Sequence, residues 1–540
     1  MKQSPGAEFK SSLHPPSPTL YSDPVMTISP HCLPSRLAIL LTTLAAIAHP
    51  AHAAPLLSAA RETAMTDHLN RIANDEASLR IFLQPMPKGG ELHIHSWGTA
   101  FAETDLAWAR DKGFCVAPLP AAHFLPPPCR NPVTRLAPAD RTALIDALTE
   151  ASAAGPILPR HDHFFATFDT AAPVVTHALP EELALLRATE ARQNTGYVEF
   201  MSSPDAVDAI GERAATLSFS PTHPENLRTA LAPHLPAALT EASHQIDRWT
   251  AEADRLQNCP RAVTPGARPL IPCAVTVRFL ATVTRTGAPA RVFGEMLAAF
   301  ALAHTDRRVA GVNILAPEDD PTALADYSQH MQMFRYLATQ YPDVRYSLHA
   351  GELTRTVAPP EALVSHIADA VAAGASRIGH GTDIASEDHA ADTLTAMARR
   401  PVAVEINLTS NDVILGVHGS AHPLRLYLRA GVPVTLSTDD PGVLRTDLTQ
   451  EYVRAVREHH LTWSEIRNIT RNSLEFSFLP GQSLWQSHQP GTPVLPCAPL
   501  ADTPTPACAA FLKTSEKARQ QWQLEQDTAR FETETLARPF

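Results

Sequence analysis

The sequence contains no run of more than two consecutive Lys or Arg residues and no apolar run that approaches the roughly 20 residues of a membrane span. Together with a net charge of −12, this lack of basic clusters disfavours nucleic acid and anionic lipid as main partners. The seven cysteines show no C-x-x-C spacing, which argues against a cysteine-ligated zinc site. What remains, 44% hydrophobic and 19% charged residues over 540 positions, is typical of a globular protein.

The first 53 residues are predicted to be a signal peptide. Arg36 precedes the apolar stretch Leu37–Ile47, and Ala51-His52-Ala53 matches an A-x-A cleavage signal. Residues 1–25 are long and rich in Ser and Pro, so Met26 is a possible true start. We therefore expect export to the periplasm or the extracellular space, with no membrane association after processing. A buried helix or a retained anchor is the alternative.

The cysteines of the mature chain support export. Apart from Cys32 in the leader they form three neighbouring couples, Cys115 with Cys129, Cys259 with Cys273, and Cys497 with Cys508. An even number of cysteines suits disulfides in an oxidising compartment. Pairing within each couple is the simplest connectivity, although the sequence alone does not fix it.

Eight β-like runs alternate with segments long enough for helices. They are Glu91–His95, Gly196–Met201, Ala274–Thr282, Val309–Leu315, Val344–His349, Arg377–His380, Val402–Leu408 and Val432–Ser437. Continuous apolar runs in this order predict an α/β fold, the (β/α)₈ or TIM barrel, over residues 85–485. We expect a helical N-terminal arm at 54–84, and a C-terminal Pro-rich loop and helix at 486–540. Long insertions follow strands 1 and 2, and the first, with Phe164 and Phe165, is apolar enough to cover a pocket.

Candidate metal ligands stand at the ends of these strands. In His93-Ile94-His95 the two imidazoles are two residues apart, so on a strand they face the same side. His349 and Asp439 follow two later strands, and the carboxyl ends of barrel strands carry the active site. Four ligands of the types that zinc accepts therefore predict a metal-dependent hydrolase.

Four motifs, in order along the chain, resemble the adenosine deaminase family of the metal-dependent amidohydrolase superfamily. They are Met86–His95, His349-Ala350-Gly351-Glu352, Arg377-Ile378-Gly379-His380-Gly381 and Ser437-Thr438-Asp439-Asp440-Pro441. A further stretch, Asn472–Phe478, is similar to the secreted, growth-factor-related branch and its bacterial relatives.

The resemblance implies one zinc ion per chain, held by His93, His95, His349 and Asp439. A zinc-bound hydroxide would then attack purine C6. Glu352 would be the proton shuttle that protonates N1, and His380 would orient the hydroxide. Alternatives to these two roles are a Glu352 that caps a helix and a His380 that is an ordinary buried histidine.

Substrate contacts are implied less directly. The resemblance implies that Asp440 accepts a hydrogen bond at purine N7. Ala316 stands where the family has a Gly whose N–H meets the purine, and it can offer its N–H provided that φ is negative there. Ser96 and Trp97 replace the Leu-Asp of classical members, whose Asp contacts ribose. Ser96 is a possible substitute, and Trp97 either stacks on substrate or, as we expect, packs under the insertion.

The roles of four further residues stay open. Asn313 stands where the family has Asp. Asn407, with Ser410 and Asn411, ends strand 7 and either touches substrate or caps the next helix.

The expected activity is hydrolysis of adenosine, and of 2′-deoxyadenosine, to inosine and ammonia. One alternative is a deaminase of another aminopurine or a modified nucleoside. Another is a secreted adenosine-binding signalling protein in which catalysis is secondary. The partner is a small purine nucleoside in either case, and the growth-factor-related branch implies a possible homodimer through the N-terminal arm.

Overall fold

A computed structural model of the protein describes residues 57–118, 122–260 and 270–538. The predicted signal peptide and the possible start at Met26 lie outside these ranges. Within them, no helix combines the length and the apolar character that crossing a bilayer requires.

Eight parallel strands form the barrel, which confirms the (β/α)₈ fold. The strands of the protein are β1 (Gly89–His95), β2 (Cys115–Val116), β3 (Phe124–Leu125), β4 (Thr195–Met201), β5 (Thr276–Thr284), β6 (Val309–Leu315), β7 (Arg345–Ala350), β8 (Arg377–His380), β9 (Ala403–Ile406) and β10 (Val434–Leu436). Their order around the barrel is β1-β4-β5-β6-β7-β8-β9-β10, while β2 and β3 form a separate antiparallel pair. All eight runs identified in the sequence are strands, with ends shifted by no more than two residues.

Main-chain hydrogen bonds at Asp439 join the last strand to the first. The N–H of Asp439 donates to the carbonyl of His93 with an N···O distance of 3.1 Å, and the N–H of His95 donates to the carbonyl of Asp439 over 3.0 Å. Ile94 and Asp439 pair as an isolated parallel bridge. The residue that follows β10 is therefore held beside the carboxyl end of β1.

Helices surround the barrel and fill both insertions. They are α1 (Ala59–Ile72), α2 (Glu76–Leu83), α3 (Ala102–Asp111), α4 (Pro138–Ala147), α5 (Ile157–Val175), α6 (Leu179–Arg192), α7 (Asp205–Ala215), α8 (Pro224–Leu231), α9 (Leu235–Leu256), α10 (Pro289–Thr305), α11 (Pro321–Gln340), α12 (His366–Ala373), α13 (Ala390–Arg399), α14 (Leu408–Leu415), α15 (Leu424–Ala430), α16 (Leu448–His459), α17 (Trp463–Glu475), α18 (Pro506–Thr514) and α19 (Glu516–Ala537). Helices α3–α6 lie between β1 and β4, and α7–α9 lie between β4 and β5.

The N-terminal arm packs on its own chain. Helix α1 contacts α17 and α19, and its Met65 and Leu69 are buried in the main hydrophobic core. Arg61 forms an ion pair with Glu532 of α19 at 3.2 Å. Because these apolar side chains are already covered by the same polypeptide, a dimer through the arm stays a prediction.

Three disulfides join the cysteines within each neighbouring couple. The bonds are Cys115–Cys129, Cys259–Cys273 and Cys497–Cys508. Such bonds persist in oxidising compartments. They are compatible with export, which itself stays a prediction.

A charged network fills the barrel below the site. Arg377, at the start of β8, donates to Glu199 on β4 at 2.6 Å and to Glu405 on β9, and all three side chains are fully buried. The Arg377 guanidinium lies 3.9 Å from the ring centroid of Phe478 and donates to the carbonyl of Phe476. The stretch that resembles the growth-factor-related branch thus closes the end of the barrel opposite the site.

Candidate active site

Four side chains converge at the carboxyl end of the barrel. The Nε2 atoms of His93 and His95 each lie 3.1 Å from Oδ1 of Asp439 and 3.3 Å from one another, and Nε2 of His349 lies 3.2 Å from that of His95. A tetrahedral zinc ion with bonds of about 2.0–2.1 Å has ligand atoms about 3.3 Å apart. Three imidazole nitrogens and one carboxylate oxygen at this spacing fit a divalent transition metal.

Partners behind two of the histidines fix their tautomers. His93 donates from Nδ1 to Glu405 Oε2 at 2.8 Å, and His349 donates from Nδ1 to Asn313 Oδ1 at 2.9 Å. The Asn313 amide is oriented because its Nδ2 donates to the carbonyl of Ser347. With a proton on each Nδ1, both Nε2 atoms present a lone pair to the centre, as metal-ligating histidines do.

Glu405 is a functional residue that the sequence analysis missed. Burial raises the pKa of Glu405, but the charge of Arg377 and the hydrogen bond from His93 outweigh that effect and lower the pKa to about 2. The carboxylate is therefore ionised and accepts the His93 proton. Asn313, whose role the sequence left open, orients His349 rather than contacting the cavity.

Glu352 lies in the wall of the cavity and does not cap a helix. The residues that follow it, 353–359, are turns and coil. Burial raises the pKa of its carboxyl well above the ordinary value, and the charges of Asp439 and Glu318 raise it further. The raised pKa favours the protonated form of the Glu352 carboxyl.

Glu318 holds the turn that presents Glu352. Its carboxylate accepts the main-chain N–H groups of Gly351 and Glu352 at 3.1 and 2.8 Å, and His366 donates to it from Nδ1. The sequence analysis did not identify Glu318. Its contacts with two main-chain amides arise from the tertiary fold, so no local sequence pattern indicates them.

His380 packs edge-on against His93 and at a tilt against His349. Its ring centroid lies 4.9 Å from that of His93 and 5.1 Å from that of His349. Gly379 permits this approach, because a Cβ there would come within 2.8 Å of the His93 ring. Asn407 and Asn411 direct their amide Nδ2 atoms at His380 Nδ1, at 3.4 and 3.0 Å. The Asn407 side chain makes no cap bond to α14, so the capping alternative does not describe Asn407, while contact with substrate stays a prediction.

Asp440 is buried in the cavity wall beside Gly98. Its Oδ1 has no hydrogen-bond partner among the described residues. A Cβ at Gly98 would come within 1.7 Å of that oxygen, so the loop after β1 can pass Asp440 only with glycine at this position. Burial, and the neighbouring charge of Asp439, raise the pKa of Asp440 well above its ordinary value. The Oδ1 atom is available to a ligand, and the raised pKa favours the protonated form of the carboxyl.

Trp97 is exposed to the cavity rather than packed under the insertion. Its side chain is 37% exposed and lines the cavity, so the expectation of packing was wrong. The cause is local: Trp97 has φ of +74°, and its N–H donates to the buried carboxyl of Glu182 at 2.8 Å, which turns the indole outward. Ser96 lines the cavity as well, although its hydroxyl donates to the carbonyl of Met201.

Ala316 lies in the cavity wall with φ of +82°, so the condition that the sequence analysis set for its N–H contact, a negative φ, is not met. The chain keeps a backbone conformation that favours glycine although the residue carries a Cβ. We expect Ala316→Gly to raise the free energy of unfolding by about 0.5–1 kcal/mol, since the relieved strain exceeds the added chain entropy. Urea unfolding measures the change. In the control Ala232→Gly, at φ −51°, the same substitution should destabilise the protein, and equal effects at both sites would contradict this account.

Several of these residues line one cavity of about 650 Å³. Its walls come from the ends of the barrel strands, from α5 of the first insertion and from α7. The described lining residues are His95, Ser96, Trp97, Phe164, Phe165, Ala166, Phe168, Asp169, Met201, Ser202, Ser203, Asp208, Thr282, Thr284, Leu315, Ala316, Pro317, His349, Glu352, Asp439 and Asp440. The volume is in the range of pockets that bury small ligands.

Comparison with known proteins gives partial matches to deaminases. The adenosine deaminase family model matches residues 246–484. An aminodeoxyfutalosine deaminase of Streptomyces coelicolor is 37% identical over 138 residues, which are 25% of this chain and 33% of that protein. An adenosine deaminase of Escherichia coli is 32% identical over 202 residues, 36% of this chain and 55% of that protein. The chain thus spans about a third to about half of the length of these curated relatives.

Solved structures of similar proteins include an N6-mAMP deaminase from Arabidopsis and an adenine deaminase from Arthrobacter aurescens. The first has a TM-score of 0.49 at 20% identity, covering 74% of this chain and 96% of that one. The second has a TM-score of 0.47 at 16% identity, covering 73% of this chain and 94% of that one.

The region matched by the family model contains His349, Glu352, His380 and Asp439, whereas the His93–His95 pair lies upstream of it. Membership of the growth-factor-related branch stays a prediction. On the family model and the curated deaminases together, residues 246–484 of this chain belong to the adenosine deaminase family.

Proposed function

We propose that this protein is a zinc-dependent hydrolase that removes the 6-amino group of a neutral purine nucleoside. Its substrates would be adenosine, converted to inosine and ammonia, and 2′-deoxyadenosine. The observation that carries the proposal is the convergence, in one cavity, of the four-ligand centre with Glu352 and Asp440. Family membership supports the same reaction class.

The proposed cofactor is one zinc ion held by His93, His95, His349 and Asp439. Zinc supplies Lewis acidity, which makes water nucleophilic at neutral pH. The protein contributes the preset lone pairs of the ligand histidines and a cavity that separates the reacting atoms from bulk water.

Proton transfer is assigned to Glu352. When water adds to C6, the ring nitrogen N1 must gain a proton as the C6–N1 double bond becomes single. A protonated Glu352 can donate that proton, and the resulting carboxylate can collect both protons of the added water in turn, passing the first to the leaving amine and keeping the second. Ammonia then departs as the C6–N bond breaks. No net proton is gained or lost by the side chain over the cycle.

Asp440 would fix the purine through N7, but by donating rather than accepting. N7 of a neutral purine is itself a hydrogen-bond acceptor. The raised pKa of Asp440 keeps the carboxyl protonated, so its O–H can donate to N7. The direction implied by the resemblance is therefore reversed in this proposal. Trp97, exposed on the cavity wall, is available to stack on the base or sugar.

The charge of the cavity favours a nucleoside over a nucleotide. Among the described residues that line it there is no Lys or Arg, while Asp169 of α5 and Asp208 of α7 are both exposed at the wall. A phosphate group would meet two carboxylates with no lining cation to offset them, and like charges in one cleft repel.

The test measures ammonia release from adenosine, 2′-deoxyadenosine, AMP, N6-methyl-AMP and adenine by the zinc-loaded protein. We expect kcat/KM for adenosine to exceed kcat/KM for AMP. The double variant Asp169→Asn/Asp208→Asn should lower the ratio of these two kcat/KM values by about tenfold at low salt. Asp502→Asn, which removes an exposed carboxylate outside the cavity, is the matched control. Turnover of AMP above that of adenosine would reject the nucleoside assignment. Absence of turnover with every purine would reject the deaminase itself.

A further inference from the structure

A buried chain of hydrogen bonds runs from the start of α15 to His380. The main-chain N–H of Leu424 donates to His422 Nδ1 at 3.1 Å. His422 Nε2 lies 3.0 Å from Asn411 Oδ1, and Asn411 Nδ2 lies 3.0 Å from His380 Nδ1. The side chains of His422, Asn411 and His380 are all buried, and neither His422 nor Asn411 lines the cavity.

The main-chain N–H of Leu424 fixes the direction of every hydrogen bond in this chain of side chains. A main-chain N–H can only donate, so Nδ1 of His422 must be an acceptor without a proton. Burial, and the charges of His459 and Arg454, lower the pKa of His422 to about 3, so the ring is neutral and its single proton lies on Nε2. That proton is donated to the oxygen of Asn411.

The amide of Asn411 transmits this orientation. Because its oxygen faces His422, its NH₂ group faces His380 and donates to Nδ1. The amide of Asn407 approaches the same nitrogen from a second direction, at 3.4 Å. Nδ1 of His380 therefore carries no proton, and the proton of a neutral ring must lie on Nε2.

We propose that His422 and Asn411 are positioning residues that hold His380 as the Nε2–H tautomer, with this N–H reserved for an oxygen of the reaction. Nε2 of His380 is buried and has no partner among the described residues. The ring lies between His93 and His349, and its Nδ1 also lies 3.6 Å from Oε1 of Glu352.

The identity of the oxygen that His380 contacts rests on the proposed function, whereas the tautomer of His380 does not. In the deamination it assigns His380 as the donor to the oxygen that adds to C6. The opposite tautomer would present a lone pair to that oxygen. It would thus remove a hydrogen bond just where negative charge develops.

The decisive variant is Asn411→Asp, which has nearly the same shape. A carboxylate still accepts from His422, but its second oxygen cannot donate, so Nδ1 of His380 must take the proton. We expect kcat to fall about 10²–10⁴-fold, the range seen when a catalytic histidine is held in the wrong tautomer, with KM changed less than about threefold and zinc content unchanged.

A graded pair of substitutions separates positioning from packing. His422→Gln keeps an N–H for Asn411 and an oxygen near the main chain, and should retain kcat within about tenfold, whereas His422→Leu removes the donor and should resemble Asn411→Asp. Similar losses of kcat in His422→Gln and His422→Leu, with lowered thermal stability in both variants, would show that the chain of hydrogen bonds is merely structural.

A readout independent of turnover is the ¹⁵N spectrum of histidine-labelled, zinc-loaded protein, with the His380 signals identified by their loss in His380→Gln. We expect a protonated Nε2 and an unprotonated Nδ1 in the wild type, and a protonated Nδ1 in Asn411→Asp. A wild-type His380 with its proton on Nδ1 overturns the proposal. If no purine is turned over, the deaminase proposal fails while this spectrum still decides the tautomer.

Discussion

Glu352→Gln is expected to lower kcat for adenosine by about 10²–10⁴-fold while zinc remains bound, because the amide fills the same space but cannot cycle a proton to N1. Steady-state kinetics with metal analysis measures both quantities. KM should change little, since the four ligands and Asp440 are untouched. Glu361→Gln, an exposed carboxyl nine residues further along the same segment, is the control and should leave kcat unchanged.

Two outcomes would contradict this assignment. If Glu352→Gln retains kcat, another group transfers the proton and the Glu352 carboxyl has a binding role only. Loss of zinc together with activity would mean that Glu352 supports the ligand centre rather than the reaction. The contacts favour neither outcome, because Glu318 fixes the Glu352 turn through main-chain amides that the substitution does not alter.

Arg377→Leu is expected to lower the free energy of unfolding by about 3–5 kcal/mol, because it leaves two carboxylates buried without the guanidinium between them. Glu199 and Glu405 are fully buried, and both hydrogen-bond to Arg377. Denaturant unfolding measures the loss. Arg399→Leu, at an exposed position, should change stability by less than about 0.5 kcal/mol.

Adding Glu199→Gln to Arg377→Leu tests the cause. If the loss comes from uncompensated charge, neutralising one carboxylate should recover part of it. If the loss comes only from packing against Phe478, the second substitution should recover nothing. Equal stability of Arg377→Leu and the wild type would contradict the account altogether.

The barrel strands could be predicted because each reads as a short, nearly continuous apolar run, and burial on both faces imposes that pattern on parallel strands. The ligands His93 and His95 could be predicted because their spacing is that of a strand face. Boundaries were less certain, since β9 ends at Ile406 and leaves Asn407 and Leu408 to begin the following helix.

Partners that act behind the ligands could not be read from the sequence. Glu405 lies 312 residues from His93 along the chain, and nothing around it distinguishes it from any acidic residue in a buried strand. The backbone angles of Trp97 and Ala316 were equally hidden, because a positive φ at a residue with a Cβ is imposed by surrounding contacts rather than by local preference.

Asp439 contributes both to the closure of the barrel and to the candidate metal site. Its main chain supplies the hydrogen bonds that join the last barrel strand to the first, and its carboxylate is the fourth member of the ligand set. During synthesis the ribosome releases His93 and His95 long before Asp439 emerges, so a full complement of ligands exists only after the two ends of the sheet have met. Metal uptake would therefore be a late event in folding. The rate at which refolding protein captures zinc would report the closure of the barrel, and zinc in the medium would pull that final step forward.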